Sequence, residues 1–191
     1  MKASRDRSAA FAWFGMIGVA AFIISWACAA SIDSAWEFGV NTLSEFGVSG
    51  TDASLYFNYG CMATGALVAL FGIGCAAYAR NAGRAVGGAL LVLAGAALAL
   101  VGVYTMDSGD AHTFVAVTFA VLALSAMVAI AAGNWAEDKK VSAGVAIVAV
   151  CLLVTMALAF DVAKLEAYGI IIAMVWLLVE SVNMVVSGGK D

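Results

Sequence analysis

The chain has 191 residues, 64% of them hydrophobic and only 12% charged, with a net charge of −4 and no proline. So little polar surface excludes an ordinary soluble domain, and an acidic balance without basic stripes excludes a nucleic-acid binder. A single histidine and four scattered cysteines give no metal-type spacing, and no fingerprint for a cofactor or a nucleophile elbow occurs, so neither metal nor cofactor is implied.

The apolar residues gather in six runs of roughly 20, the length needed to cross a hydrocarbon core about 30 Å thick at 1.5 Å per residue. The runs are 9–30, 55–78, 85–106, 112–133, 141–160 and 167–186. They lack the alternation of barrel strands. The prediction is an all-α integral membrane protein, a single domain forming a six-helix bundle. The first run follows Lys2, Arg5 and Arg7 as a signal peptide would, but it is longer than the usual apolar core of one and reads as the first spanning helix.

Between the first two runs lies SAWEFGVNTLSEFGVS, residues 34–49, in which two eight-residue blocks match at Glu, Phe, Gly and Val. Each opens S/T-x-x-E, the capping-box pattern, so Ser34 with Glu37 and Thr42 with Glu45 predict two short capped turns. Gly39 and Gly47 would end them in the left-handed conformation. With Trp36, Phe38, Leu43 and Phe46 beside them, the prediction is a short amphipathic helical lid at headgroup level, with the first block at the periphery and Trp36 among the headgroups.

In the second helix Gly65 and Gly72, and in the third Gly88, Gly95 and Gly102, recur every seven residues. Such stripes let backbones approach where lipid gives no hydrophobic drive for association, so these two helices should be in close contact. Ser25, Thr64, Thr118, Ser125 and Thr155 are the hydroxyls at depth and should bond back to their own helices. The cysteines Cys28, Cys61, Cys75 and Cys151 read as small packing residues, with a Cys28–Cys61 disulfide as the one pairing to consider. In the sixth helix Glu180 is a carboxylate inside a span. It either snorkels to the nearer headgroups or makes a functional contact.

Basic residues cluster at the amino terminus, at Arg80 and Arg84 in the second connection, at Lys139 and Lys140 in the fourth, and at Lys190 in the tail. By the positive-inside rule both termini are cytoplasmic in the cell membrane, and residues 31–53 lie outside. The outer loops carry Asp33, Glu37, Glu45, Asp52, Asp107, Asp110, Asp161 and Glu166, against Lys164 alone.

The pattern N-T-L-S-E-F-G after the first helix, Phe57-Asn58 at the start of the second, Asp107 and His112 ahead of a Phe-containing fourth helix, and the run from Glu166 to Trp176 in the sixth resemble the domain-of-unknown-function 998 family. Its members are small bacterial and archaeal proteins with about six spanning helices. The resemblance implies topology over nearly the whole chain and draws attention to Leu43, Ser44, Gly47, Asn58, Asp107, His112, Glu166 and Trp176. It implies no reaction. The third helix departs from the family pattern, ending Gly102-Val103-Tyr104-Thr105-Met106 without proline.

Three functions stay open. The first is a module that binds membrane lipids, a membrane-protein partner or a second copy of itself, with Glu45, Asn58, Glu166, Trp176 and Glu180 as binding residues. The second is a hydrolase or transferase for a lipid-linked substrate, with Ser44 as nucleophile, His112 as general base and Asp107 orienting it. The third is a small transporter or channel, which unbroken helices and one deep carboxylate disfavour.

Overall fold

The computed structural model describes residues 2–188. Six helices are long and apolar enough to span a membrane: α1 (Lys2–Ile32), α2 (Asp52–Ala77), α3 (Ala82–Val103), α4 (Asp110–Ala136), α5 (Lys140–Ala159) and α6 (Val162–Gly188). The described residues contain no strand beyond an isolated Phe38–Asn41 bridge. Three boundaries differ from expectation in a way that matters. α3 begins early enough to enclose Arg84, α4 begins at Asp110, two residues ahead of His112, and α6 encloses Glu166. Local caps explain the first of these, since the Asn81 side chain accepts the Arg84 N–H at 3.0 Å and so starts the helix before the apolar run does.

Each helix packs on its chain neighbours, and α6 closes against α1, so the six form a ring. The α2–α3 seam is the tightest, for the reason read from the glycines. A Cβ on Gly95 would sit 2.4 Å from the Gly65 carbonyl oxygen, and one on Gly72 2.8 Å from the Gly88 carbonyl oxygen. Gly102 abuts the Asn58 backbone at 2.3 Å by the same measure. Gly83 and Gly87 serve the other side of α3, against Gly133 and Ile130 of α4.

The centre of the ring holds two apolar clusters. One includes Val19, Val68, Phe71, Leu91, Met127, Ile130, Ala146 and Trp176, drawn from all six helices. The other lies nearer the loop between α1 and α2 and includes Phe22, Leu43, Phe46, Phe57, Cys61, Leu98 and Val115. Leu43 and Phe46 belong to a 3-10 helix, Leu43–Gly47, that is seated in the mouth of the ring as a lid. We call this end the lid face. The opposite end carries the α2–α3 and α4–α5 connections.

Candidate functional site

The lid is built as the second sequence block predicts. Glu45 Oε1 accepts from the Thr42 N–H at 2.8 Å and the Thr42 hydroxyl at 3.1 Å, while Oε2 takes the Asn41 amide at 2.6 Å. Partial burial works against the Glu45 charge, but these hydrogen bonds outweigh it and hold the carboxyl below its ordinary value. Gly47 departs from expectation. Its φ is not positive, and a Cβ there would meet Asn58 Oδ1 at 2.7 Å and the Phe57 ring at 3.3 Å, so the position needs space rather than left-handed freedom.

The first block does not repeat the second. Asp33, not Ser34, supplies the turn, accepting the Ala35 N–H at 3.1 Å, and Glu37 is engaged through its backbone, with Asn41 Oδ1 accepting its N–H at 3.0 Å. Only Gly39, at φ +75°, takes the left-handed conformation expected. Nor is Trp36 peripheral. Its indole N–H donates to the Thr42 carbonyl at 2.9 Å, and its ring lies 4.5 Å from that of Phe46, so the first block braces the second. Trp26 stacks on Phe38 at 5.9 Å, and Phe38 meets Tyr168 edge-on at 5.2 Å, which extends an aromatic collar around the lid.

Three polar side chains fasten the lid segment to the ring. Glu166 on α6 accepts the Ser44 N–H at 3.3 Å and engages the Leu43 amide, which are donors at the open start of the 3-10 helix. Asn58 on α2 donates to the Gly47 carbonyl at 3.1 Å. Asp107 accepts the Ser49 N–H at 3.0 Å. The Asp107 carboxyl is held down at about 2, first by the Ser49 amide and then by Thr105.

His112 is buried on the first turn of α4, and its Nδ1 lies 2.7 Å from the Tyr104 carbonyl oxygen. A carbonyl only accepts, so Nδ1 carries the proton and Nε2 is the basic nitrogen of the neutral ring. Glu166 is within electrostatic reach of both His112 and Glu45. The lid face thus brings together Ser44, Glu45, His112 and Glu166. It does not make Asp107 the orienter of His112. Asp107 is exposed and committed to Ser49, and the Tyr104 carbonyl does the orienting. The one bond assigned to Ser44 uses its backbone N–H toward Glu166.

At the far end stands a second polar group. Glu180 is fully buried and accepts from Arg84 Nη1 at 2.7 Å, Asn134 Nδ2 at 2.8 Å and the Ser142 hydroxyl at 2.6 Å. Asn183 contributes a longer contact, at 3.4 Å. Arg84 also donates to Asn134 Oδ1. Helices α3, α4, α5 and α6 are therefore tied through one carboxylate. Glu180 does not snorkel, because Arg84 comes inward to meet it.

Arg84, Asn134 and Ser142 escape a sequence reading because each stands at the edge of an apolar run, where a polar residue reads as a loop end. The signal available was the depth of Glu180, which demands a partner. Thr118, Ser125 and Thr155 bond back to the carbonyl four residues earlier at 2.7, 2.7 and 2.8 Å, as expected. Thr64 does not, and neither its hydroxyl nor the Trp176 indole N–H has a partner among the described residues. All four cysteines are free, so Cys28 and Cys61 are not paired. Among the described residues no three His, Cys, Asp or Glu side chains converge as a metal site would require.

The amino-acid sequence matches none of the curated proteins and none of the solved structures. It does match a family model, described as "Protein of unknown function (DUF998)", over residues 16–183. That span runs from within α1 to within α6 and takes in the lid, its three fasteners and the Arg84–Glu180 pair. The chain is a multi-pass membrane protein that belongs to the DUF998 family.

Proposed function

We propose that this protein is a non-catalytic lipid-binding module of the cell membrane, with both termini in the cytoplasm and the lid on the outer surface. The observation that carries the reading is how the lid is held. A five-residue helix plugs an apolar mouth lined by Phe22, Phe57, Leu98 and Val115, yet its polar fastenings are a few hydrogen bonds, from the Ser44 and Leu43 amides to Glu166, from Asn58 to Gly47, and from Ser49 to Asp107 and Thr105. Bonds of this kind contribute about 1 kcal/mol between neutral groups and about 1.5–3 kcal/mol to a carboxylate, and a lipid headgroup bearing hydroxyl or ammonium donors can replace the lid amides on Glu166. An acyl chain would then take the place of Leu43 and Phe46 in the apolar mouth.

Two alternatives find less support. A nucleophile needs its base within hydrogen-bond reach, but the bonds assigned to His112, Ser44 and Asp107 lead to other partners. A transport path needs polar groups at intervals. Glu166 and Glu180 stand fourteen residues apart on α6, about 21 Å at 1.5 Å per residue, with the two apolar clusters between them.

Native mass spectrometry of protein released from mild detergent tests the reading. One retained lipid per chain is expected, and Glu166→Gln should reduce its occupancy. Absence of retained lipid, or equal retention by the variant, would count against it. For orientation, Ser49→Cys and Lys140→Cys place thiols at exposed positions on opposite faces. An impermeant reagent on intact cells should label the first and spare the second, and the reverse pattern would invert the topology.

A further inference from the structure

Glu166 and His112 stand on different helices but on faces turned to the same place. Glu166, Ile170 and Met174 follow at four-residue spacing on α6, and Val115, Ala116 and Phe119 lie three, four and seven residues beyond His112 on α4, so each set shares one helix face. Val115 belongs to the lid-side apolar cluster, and Ala116, Phe119, Ile170 and Met174 pack against it. Both polar residues therefore stand one turn from that cluster, on its lid side. The charge of Glu166 is felt at His112 on α4, at Cys61 on α2 and at Glu45 in the lid segment, so the carboxylate is turned into the mouth of the ring.

His112 is 7% exposed, and its hydrogen bond to Tyr104 uses Nδ1, which leaves Nε2 without a partner among the described residues. The described side-chain atoms that are both sealed and unpaired are the Thr64 hydroxyl and the Trp176 indole nitrogen, so Nε2 is unpaired without being sealed. In the tautomer that the Tyr104 carbonyl imposes, it accepts a hydrogen bond. Once the lid amides leave, Glu166 is an acceptor as well, and a charged one. Glu45 repels that charge. Among the described residues the lid face offers one Lys or Arg, Lys164, which is exposed and paired with Asp161 at 2.7 Å.

Resting on the lipid-binding reading above, we propose that the headgroup selected beneath the lid is a primary ammonium, as an aminophospholipid carries. Its charge answers Glu166, and its N–H hydrogens are shared between that carboxylate and His112 Nε2. A trimethylammonium head brings the charge but has no hydrogen to give. A glycerol head gives hydrogens, but it leaves the carboxylate uncompensated in an apolar mouth and adds the net negative charge of its phosphate.

Competition read by native mass spectrometry tests the selection. Delipidated protein in neutral detergent is mixed with equal amounts of phosphatidylethanolamine, phosphatidylcholine and phosphatidylglycerol bearing the same acyl chains. Phosphatidylethanolamine should be retained about 10-fold or more over either of the others, the worth of one charge-assisted hydrogen bond. His112→Asn keeps a donor at the Nδ1 position for the Tyr104 carbonyl and removes Nε2. It should cut retention of phosphatidylethanolamine roughly 3- to 10-fold and leave phosphatidylcholine where it was, whereas a purely structural role would lower all three together. Should that variant fail to fold, the wild-type ranking decides alone. Glu166→Gln should bring phosphatidylethanolamine down to the level of phosphatidylcholine. Soluble glycerophosphoethanolamine at the same concentration should not displace the lipid, and displacement would assign the site to a free amine instead. Retention of all three lipids without preference, a preference for either competitor, or an unchanged ranking in folded His112→Asn would overturn the proposal and leave the lipid-binding reading standing. Retention of none would overturn that reading itself.

Discussion

Replacing Glu180 by leucine should be among the most damaging single changes in the protein, and the loss should be recovered by a second change. In Glu180→Leu the Arg84 guanidinium keeps its charge in a site where its side chain is 6% exposed, and its remaining bond is to Asn134. The Ser142 hydroxyl loses the carboxylate as well, although it retains Asn134 at 3.1 Å. Removing one partner of a buried pair costs about 3–5 kcal/mol, most of it the uncompensated charge left behind. At roughly 2–4 °C per kcal/mol for a chain of this length, the midpoint should fall by about 6–20 °C. Glu180→Gln keeps an acceptor oxygen and should fall between. The double variant Arg84→Met with Glu180→Leu removes both charges and fills the space with apolar groups, so it should return close to the wild-type midpoint or exceed it. Thermal unfolding of the four proteins in one detergent supplies the comparison. If Glu180→Leu costs under about 1 kcal/mol, or the double variant is as unstable as the single, the pair is not the buried, desolvated bond described.

Other expectations follow from the glycines and the loop carboxylates. Gly95→Leu should lower stability by at least about 1–3 kcal/mol, read as a lower thermal midpoint, because its Cβ would already be 2.4 Å from the Gly65 backbone. Gly144→Ala, with nothing within 4 Å, should instead hold or gain up to about 1 kcal/mol in the same melts. Gly47→Ala should displace Asn58 and speed amide exchange across Leu43–Gly47. Gly39→Ala should cost about 1–2 kcal/mol through its positive φ and leave the Asn58 tie in place, as exchange at the two turns would report. The Asp107 carboxyl has a lowered value in the folded protein, so its tie to Ser49 stabilises the fold fully above the ordinary value of 3.8 and is lost as pH falls through about 2. Carboxyl NMR should place its midpoint near 2, and a midpoint at 3.8 would mean the tie does not form in solution.

Much of the architecture was legible because it follows from volume and length. Apolar runs of spanning size announce six helices, and glycines repeating every seven residues announce the α2–α3 seam, since only a missing Cβ allows that approach. The second EFGV block was readable because a capping box is a local interaction. Local pattern failed where tertiary contact decides. The two blocks match in sequence, yet Gly47 is governed by Asn58 and Phe57, while Gly39 is governed by its own backbone. Arg84 reads as a cytoplasmic loop charge because the residue that draws it inward, Glu180, lies 96 positions away. His112 is bonded to a main-chain oxygen, and no sequence motif encodes a carbonyl. The unpaired Thr64 hydroxyl could not be foreseen either, because its residue type and helix position are those of hydroxyls that do pair.

The central claim is that a displaceable lid closes an apolar mouth which lipid can enter. Amide hydrogen exchange at Ser44 and Ser49, compared between protein held in a lipid-free amphipathic polymer and protein in lipid nanodiscs, tests it most directly. The account predicts that lipid accelerates exchange at both amides, as headgroups displace them from Glu166 and Asp107, while amides along the α2–α3 seam stay equally protected. Identical protection of Ser44 and Ser49 in the two environments would contradict it and make the lid a fixed part of the fold.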